Sequence, residues 1–295
     1  MIQRAIPEGR RPRHLTPARA GIYAFLIICA LFVLTPLYVM IVTSLKTMPE
    51  IRQGNILGLP HAPTLAAWAK AWFSACTGLT CNGIRVGFVN SIRILIPSVI
   101  ISITVGAITG YALSFWRPRG AFLLFGALIA VAFIPYQVFI YPLVRIFSHL
   151  GLNQSIPGIV LVHTIFGLPT MTLIFRNHFA ALPEELFKAA RVDGAGFWRI
   201  LYAIMLPMAV PIIVVAVILQ VTGIWNDFLF GLVFAGRINL PMTVQLNNIV
   251  NSTTGTREYN VDMAATLLTA TVPLLVYFIS GRWFVRGIAA GAVKG

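Results

Sequence analysis

The chain has 295 residues, of which 58% are hydrophobic and only 10% charged. A soluble domain carries about 25% charged residues, so this composition excludes an ordinary water-soluble enzyme and points to lipid as the main solvent. The net charge of +14 is not a nucleic-acid footprint, because the basic residues lie in the gaps between apolar runs and no basic domain or motif accompanies them.

Crossing ~30 Å of hydrocarbon takes about 20 apolar residues. Six charge-free stretches reach or approach that length: 21–45, 94–116, 121–144, 158–175, 200–226 and 263–281. Several hold proline (Pro36, Pro97, Pro135, Pro142, Pro169, Pro211, Pro273). A helix bundle tolerates this where neighbouring helices or water satisfy the freed backbone group. The first stretch is too long for a cleaved signal and no small-residue cleavage site follows it. The fourth is short and carries Gly167 and Pro169, so its ends are the least defined.

Placing the amino terminus in the cytoplasm puts fourteen of the 22 Lys and Arg residues on the inner side, although the outer segments are longer. The positive-inside rule therefore sets both termini in the cytoplasm. Residues 1–20 form a basic arm (Arg10-Arg11-Pro12-Arg13) suited to anionic lipid. The outer loop 46–93 carries Trp68, Trp72 and Phe73, which read first as interface anchors and second as a docking surface. It also holds Cys76 and Cys81, and an oxidising periplasm permits a disulfide there; two free thiols fit the sequence equally well. Arg117-Pro118-Arg119-Gly120 is a tight inner turn.

The inner connection 176–206 is the most informative segment. Pro183 suits the first position of a helix, and Glu184 and Glu185 complement its positive end. Leu186, Ala189 and Ala190 follow at helical spacing, and Asp193-Gly194 stops the helix. A second amphipathic piece, Phe197, Ile200, Leu201 and Ile204, leads to Pro207 at the membrane. Alanines on the surface of a compact helix fit close packing by another protein; an ordinary surface connector fits equally well.

This segment resembles the signature of permease subunits in binding-protein-dependent ABC importers. That pattern is Glu-Ala-Ala, three residues, Gly, nine residues, then Ile-x-Leu-Pro. Here it reads Ala189-Ala190, three residues, Gly194, nine residues, then Ile204-Met205-Leu206-Pro207. Lys188 stands at the glutamate position, with Glu184 and Glu185 about one turn earlier. Further stretches resemble the carbohydrate branch, in particular the maltose-type small permease. They are Gly110-Tyr111-Ala112-Leu113-Ser114, Pro135-Tyr136-Gln137, Leu150-Gly151-Leu152-Asn153, Trp225-Asn226-Asp227-Phe228 and the run from Phe284 to Gly295. The Cys76–Cys81 loop and Tyr259-Asn260-Val261-Asp262-Met263 look most like glucose/mannose-type systems.

The resemblance implies an all-α integral membrane protein of the bacterial inner membrane, with six transmembrane helices in 21–287 and a cytoplasmic tail at 288–295. It implies a second homologous permease, two ATP-binding subunits and a periplasmic sugar-binding protein as partners. Between helices 4 and 5 the segment with Glu184, Glu185, Lys188, Ala189, Ala190, Asp193 and Gly194 would be the coupling helix seated in the ATPase. The expected cargo is a sugar of the glucose/mannose kind; an oligosaccharide, polyol or glycerol phosphate is the alternative.

The chain has no GxxxxGK[ST] phosphate loop, no HExxH and no GxSxG, so it is expected to be no enzyme and to need no cofactor. ATP and Mg²⁺ would bind to the partner ATPases. An ion-coupled transporter usually keeps charged groups inside its spans, and these stretches have none. A lone His163 there reads as a packed residue. Gln137, Gln220 and Asn226 are candidates for the substrate path, since a sugar needs amide and aromatic groups; hydrogen bonding between helices is an equal reading of each. Asp227 falls ~30 Å along the helix from Pro207 at 1.5 Å per residue, near the outer surface.

Overall fold

The computed structural model describes residues 16–78, 80–116, 118–251 and 256–292, with residues 282–292 as backbone only. The basic arm up to residue 15, Arg117, residues 293–295 and the side chains of the rest of the expected tail lie outside the described residues. Among the described residues there are helices and turns and no strand.

The first helix, α1 (Pro17–Ser44), starts where the Thr16 hydroxyl accepts from the Arg19 amide at 3.4 Å, with proline in the first turn. It packs on little but the last helix, and nearly all its side chains are exposed, as a lipid-facing helix requires. Two short helices follow, α2 (Met48–Arg52) and α3 (Ala66–Phe73). The structure then joins Cys76 and Cys81 as a disulfide. Next comes α4 (Arg85–Tyr111), which continues through a wider π-helical turn, Ala112–Trp116.

Gly120, at φ 81°, turns the chain into α5 (Ala121–Ala132), and α6 (Gln137–His149) follows. α7 (Ile156–Ala180) begins with the Ser155 hydroxyl accepting from the Gly158 amide at 3.1 Å. α8 (Glu184–Val192) and α9 (Phe197–Ile200) lead through a π-helical turn, Leu201–Met205, into α10 (Leu206–Met208) and α11 (Val210–Trp225). The chain ends with α12 (Leu229–Phe234), a 3₁₀ turn at Arg237–Asn239, α13 (Met242–Val250) and α14 (Tyr259–Ala292).

Four helices are long and apolar enough to cross a membrane alone: Pro17–Ser44, Arg85–Trp116, Ile156–Ala180 and Tyr259–Gly281. The other two expected spans are broken. The stretch 121–144 is not one rod: α5 and α6 meet at 108° around Pro135. Likewise 200–226 bends by 79° between Met208 and Val210, where Pro207 and Pro211 lie on either side of Ala209 and each lacks a backbone donor. By contrast α7 runs unbroken through Pro169, the stretch with the least defined ends in sequence.

α4 and α7 form the frame. Gly106 and Gly110 lie one turn apart on α4, and a methyl at either would collide with Met171, Phe175 or the Arg176 backbone of α7. Small residues at this spacing let membrane helices approach closely. The buried apolar residues fall into two clusters. One gathers α3, α12, α13 and the adjoining parts of α4, α7, α11 and α14 around Trp225, Phe234 and Ile84. The other gathers α8, α9 and both π-helical turns around Tyr111, Phe175 and Phe179. The first is the disulfide pole and the second the α8 pole.

The aromatic residues of the first loop are not all interface anchors. Trp68 is half-buried and donates from Nε1 to Ser44 Oγ at 3.1 Å, and Trp72 meets Phe88 edge-on at 5.4 Å. Only Phe73 stays exposed, with the Arg85 guanidinium 5.6 Å from its ring. The helix α3 folds back on the protein because its alanines, Ala67 and Ala71, let it lie flat against the core.

Candidate functional site

The two broken helices open a cavity of about 680 Å³ against α7. Tyr136 enters from the α5–α6 break, and Asn226, Asp227 and Phe228 from the gap between α11 and α12. α7 supplies His163, Phe166 and Thr170, and α11 supplies Gln220. Their rings form one wall: Phe166 stacks on Phe230 at 5.1 Å, and Tyr136 meets Phe230 edge-on at 5.0 Å.

Asp227 follows the end of α11, as its distance along the helix implies, but its side chain is mostly buried. Its carboxylate caps α12, accepting from the Phe230 amide at 3.2 Å and from the Gly231 amide at 2.9 Å. Its Oδ2 lies 3.9 Å from His163 Nε2, and the two side chains are 13% and 6% exposed. Burial pushes the Asp227 carboxyl above its ordinary range, and the amides of Gly231, Phe230 and Leu229 oppose that rise. His163, read in sequence as a packed residue, is buried edge-on against Phe230 and also faces this carboxylate. No local signal announces this, because His163 lies within α7 and Asp227 in the gap between α11 and α12, brought together only by the fold.

The three path candidates separate. Gln220 and Asn226 line the cavity together. Gln220 is also a tie between helices, donating to Ser102 Oγ at 2.7 Å from a side chain that is 8% exposed. Gln137 begins α6 as an exposed residue and is not among the lining residues; its neighbour Tyr136 is.

At the other pole, α8 is an amphipathic helix laid across the end of the frame. Phe187 stacks on Phe115 at 4.9 Å and meets Trp116 edge-on at 5.7 Å, while the Arg191 guanidinium sits 4.6 Å over Trp116. Ala190 is 7% exposed and packs into the core, so the expected pair of surface alanines reduces to Ala189. Gly194, at φ 77°, ends the helix, and the Ala195 amide returns to the Ala190 carbonyl at 2.9 Å. Glu184, Glu185, Lys188, Ala189, Asp193 and Gly194 are exposed, and Lys188 lies 3.5 Å from Glu184 one turn back. The largest apolar exposures nearby are Val192 at 87%, Tyr202 at 60% and Trp198 at 55%.

Among the described residues no group of three or more His, Cys, Asp and Glu side chains could hold a metal ion.

The frame thus combines four unbroken apolar helices, two bent pairs and a short exposed helix, α8, between α7 and the second bent pair. Residues 102–290 match the family described as binding-protein-dependent transport system inner membrane component, and the chain belongs to it. It is 35% identical over 218 residues to the osmoprotective compounds uptake permease protein GgtD of Synechocystis sp., covering 73% of this chain and 72% of that one. To the glucose import system permease protein GlcU of Saccharolobus solfataricus it is 29% identical over 282 residues, covering 92% and 95%. Other relatives are named for uptake of alpha-glucosides, sn-glycerol-3-phosphate, xylose or arabinose, and diacetylchitobiose. The fold matches a chain of a bacterial ABC transporter for the acidic polysaccharide alginate, with TM-score 0.75 over 92% of this chain and 99% of that one, at 19% identity.

Proposed function

We propose that this chain is the permease of an ATP-driven importer for a sugar, a monosaccharide of the glucose or mannose kind delivered by a periplasmic binding protein. It crosses the inner membrane of a bacterium six times, the two bent pairs each counting as one crossing, with both termini in the cytoplasm. It pairs with a second homologous permease, and two ATPase subunits bind ATP and Mg²⁺ beneath it. The disulfide pole then faces the periplasm, where an oxidising medium suits a cystine.

One observation carries this reading: α7 joins the exposed helix to the cavity. Its Met171, Phe175 and Phe179 share a buried cluster with Ala190 of α8, and its His163, Phe166 and Thr170 line the cavity. The stacked Phe187 and the clamped Arg191 keep α8 from sliding independently. An ATPase closing on α8 therefore moves α7 and α4 as a body, and the cavity walls with them. A packed rigid element with a site at each end is the physical means by which such coupling travels.

ATP-dependent uptake of labelled glucose into proteoliposomes tests the reading, using this chain with its partner permease, ATPases and binding protein. Uptake needing ATP and the binding protein, and competed by mannose, supports mechanism and cargo together. ATPase stimulated by the binding protein without glucose uptake keeps the importer and removes the glucose assignment. Gly194→Pro tests α8 itself. Proline fixes φ near about −65° and cannot follow the positive φ at this stop. The variant should reach the membrane yet hydrolyse ATP without transport; normal uptake would remove α8 from the coupling role.

A further inference from the structure

We propose that the cavity between α7 and α11 is a contact site for the solute in this subunit, built for an uncharged polyhydroxy compound, with Asp227 accepting from one of its hydroxyls and turning anions away. This rests on the sugar-importer reading and narrows it.

The lining carries the argument. It contains no lysine or arginine, and its one carboxylate is Asp227. A phosphate or carboxylate entering here would meet a like charge in a half-enclosed, weakly screened space and find no cation to pair with. A neutral sugar meets the opposite. The oxygens of Asp227 accept from the Phe230 and Gly231 amides, with the Leu229 amide directed at them as well, and a carboxylate offers about four acceptor positions, so one remains for a hydroxyl. The 3.9 Å gap between Asp227 Oδ2 and His163 Nε2 is too wide for a direct hydrogen bond. A hydroxyl oxygen placed about 2.8 Å from each would bridge it. Tyr136, Phe166 and Phe230 supply apolar ring surface for the C–H face of a sugar, and the exposed Asn226 amide adds a donor and an acceptor. The volume, about 680 Å³, falls in the usual range for small-molecule sites of roughly 300–1,000 Å³.

The site also has a position along the path. Counting 1.5 Å per residue from Ile156, His163 lies about 10 Å and Thr170 about 21 Å along α7, so the cavity reaches from the outer third of the helix to its middle. A solute released by a binding protein at the disulfide pole meets Asp227 and Asn226 first.

The other role open to Asp227 is capping α12 alone. Asp227→Asn separates the two, because it keeps a side-chain oxygen for an α12 amide and removes the charge. The complete importer is placed in nanodiscs without its binding protein, and saturation-transfer NMR is recorded with glucose and, separately, gluconate. Wild type should saturate glucose and not gluconate. In Asp227→Asn the glucose signal should fall at least fivefold and a gluconate signal should emerge. In proteoliposomes with the binding protein, glucose taken up per ATP hydrolysed should fall at least tenfold. A purely structural cap would lower uptake and hydrolysis together and leave that ratio intact. Should Asp227→Asn fail to assemble, Tyr136→Ala, at the helix break, should lower the same ratio at least fivefold.

Equal saturation of gluconate and glucose in wild type would overturn the proposal. So would an unchanged ratio in the variant, while glucose uptake by the wild-type importer leaves the sugar reading standing. A wild-type importer that takes up no neutral sugar overturns that reading and this one with it.

Discussion

The two poles are held by different balances of hydrogen bonds and ring contacts. At the disulfide pole the loops are fixed by hydrogen bonds that reach across the sequence. Asn90 donates to the Ile238 and Leu240 carbonyls at 3.1 and 3.2 Å, the Gly87 amide donates to Gln245 Oε1 at 2.9 Å, and the Met242 amide donates to Ser91 Oγ at 2.8 Å. Lys46 is buried and donates to the Asn55 carbonyl at 2.8 Å. At the α8 pole ring and guanidinium contacts through Phe187, Phe115, Trp116 and Arg191 hold α8 itself, beside hydrogen bonds of the frame from the Ser114 hydroxyl to the Arg176 carbonyl at 3.1 Å and between His178 Nε2 and the Met208 carbonyl at 3.2 Å. Hydrogen bonds fix register, because a buried polar group shifted out of reach loses its partner outright. Ring contacts tolerate displacement of a few tenths of an ångström at small cost. The molecule thus pairs a pole whose loops are fixed in register with one whose short helix is held to the frame by packing.

The largest effect is expected where both poles share a frame. At Gly110 an added side chain meets the Arg176 amide at 2.7 Å and Phe175 Cβ at 2.8 Å, and backbone cannot yield as a side chain does. Gly110→Val should cost about 3 kcal/mol or more through overpacking, and little folded protein should be recovered from membranes on size-exclusion. Recovery at wild-type yield would mean that the poles do not depend on the α4–α7 contact. Next comes Phe187→Ala, which removes a half-buried ring from its stack and should cost about 2 kcal/mol, less than the 3–5 of a fully buried ring. Here uptake should fall further than binding-protein-stimulated ATP hydrolysis, because α8 would move without carrying the frame.

Asn90→Ala probes the disulfide pole. It leaves two carbonyls short of a donor in a partly wet place and should cost about 1 kcal/mol, seen as a lower melting temperature. Uptake per ATP hydrolysed should hold. The contrast between the poles fails if Asn90→Ala uncouples transport while Phe187→Ala does not.

This contrast also explains what could be read from sequence. The four unbroken spans and the α8 stop were legible because each is a local property: a charge-free run of sufficient length, or Asp193-Gly194 after a helical repeat. The breaks were not. Pro169 and Pro135 look alike in sequence, yet one lies buried in the α4–α7 frame and the other in an exposed turn. Pro36, exposed in lipid-facing α1, also leaves its helix unbroken, so neither proline nor its exposure marks a break by itself. The cavity depends on those breaks, so only Gln220 and Asn226 could be named beforehand. The count of rise per residue placed Asp227 at the outer end of its helix, but could not show that it turns inward beside His163.

The smallest expected effect on stability is at Lys188, and it is the most discriminating. Lys188 and Glu184 are an i,i+4 pair with side chains 64% and 59% exposed, the lysine following the acid as the helix dipole prefers. Such a pair contributes a few tenths of a kcal/mol, so Lys188→Ala should leave the melting temperature unchanged within error. If α8 is only a surface connector, transport is unchanged too. If α8 sits in an ATPase cleft, an exposed cation on its face meets the partner's charges in a space that closure dries, where a pairing matters far more than in water. Lys188→Glu should then weaken retention of the ATPase subunits on the permease at least fivefold, and more at low salt than at high. Equal retention of the subunits at both salt concentrations would leave α8 as a connector and move the coupling surface to the exposed Trp198 and Tyr202 beside it.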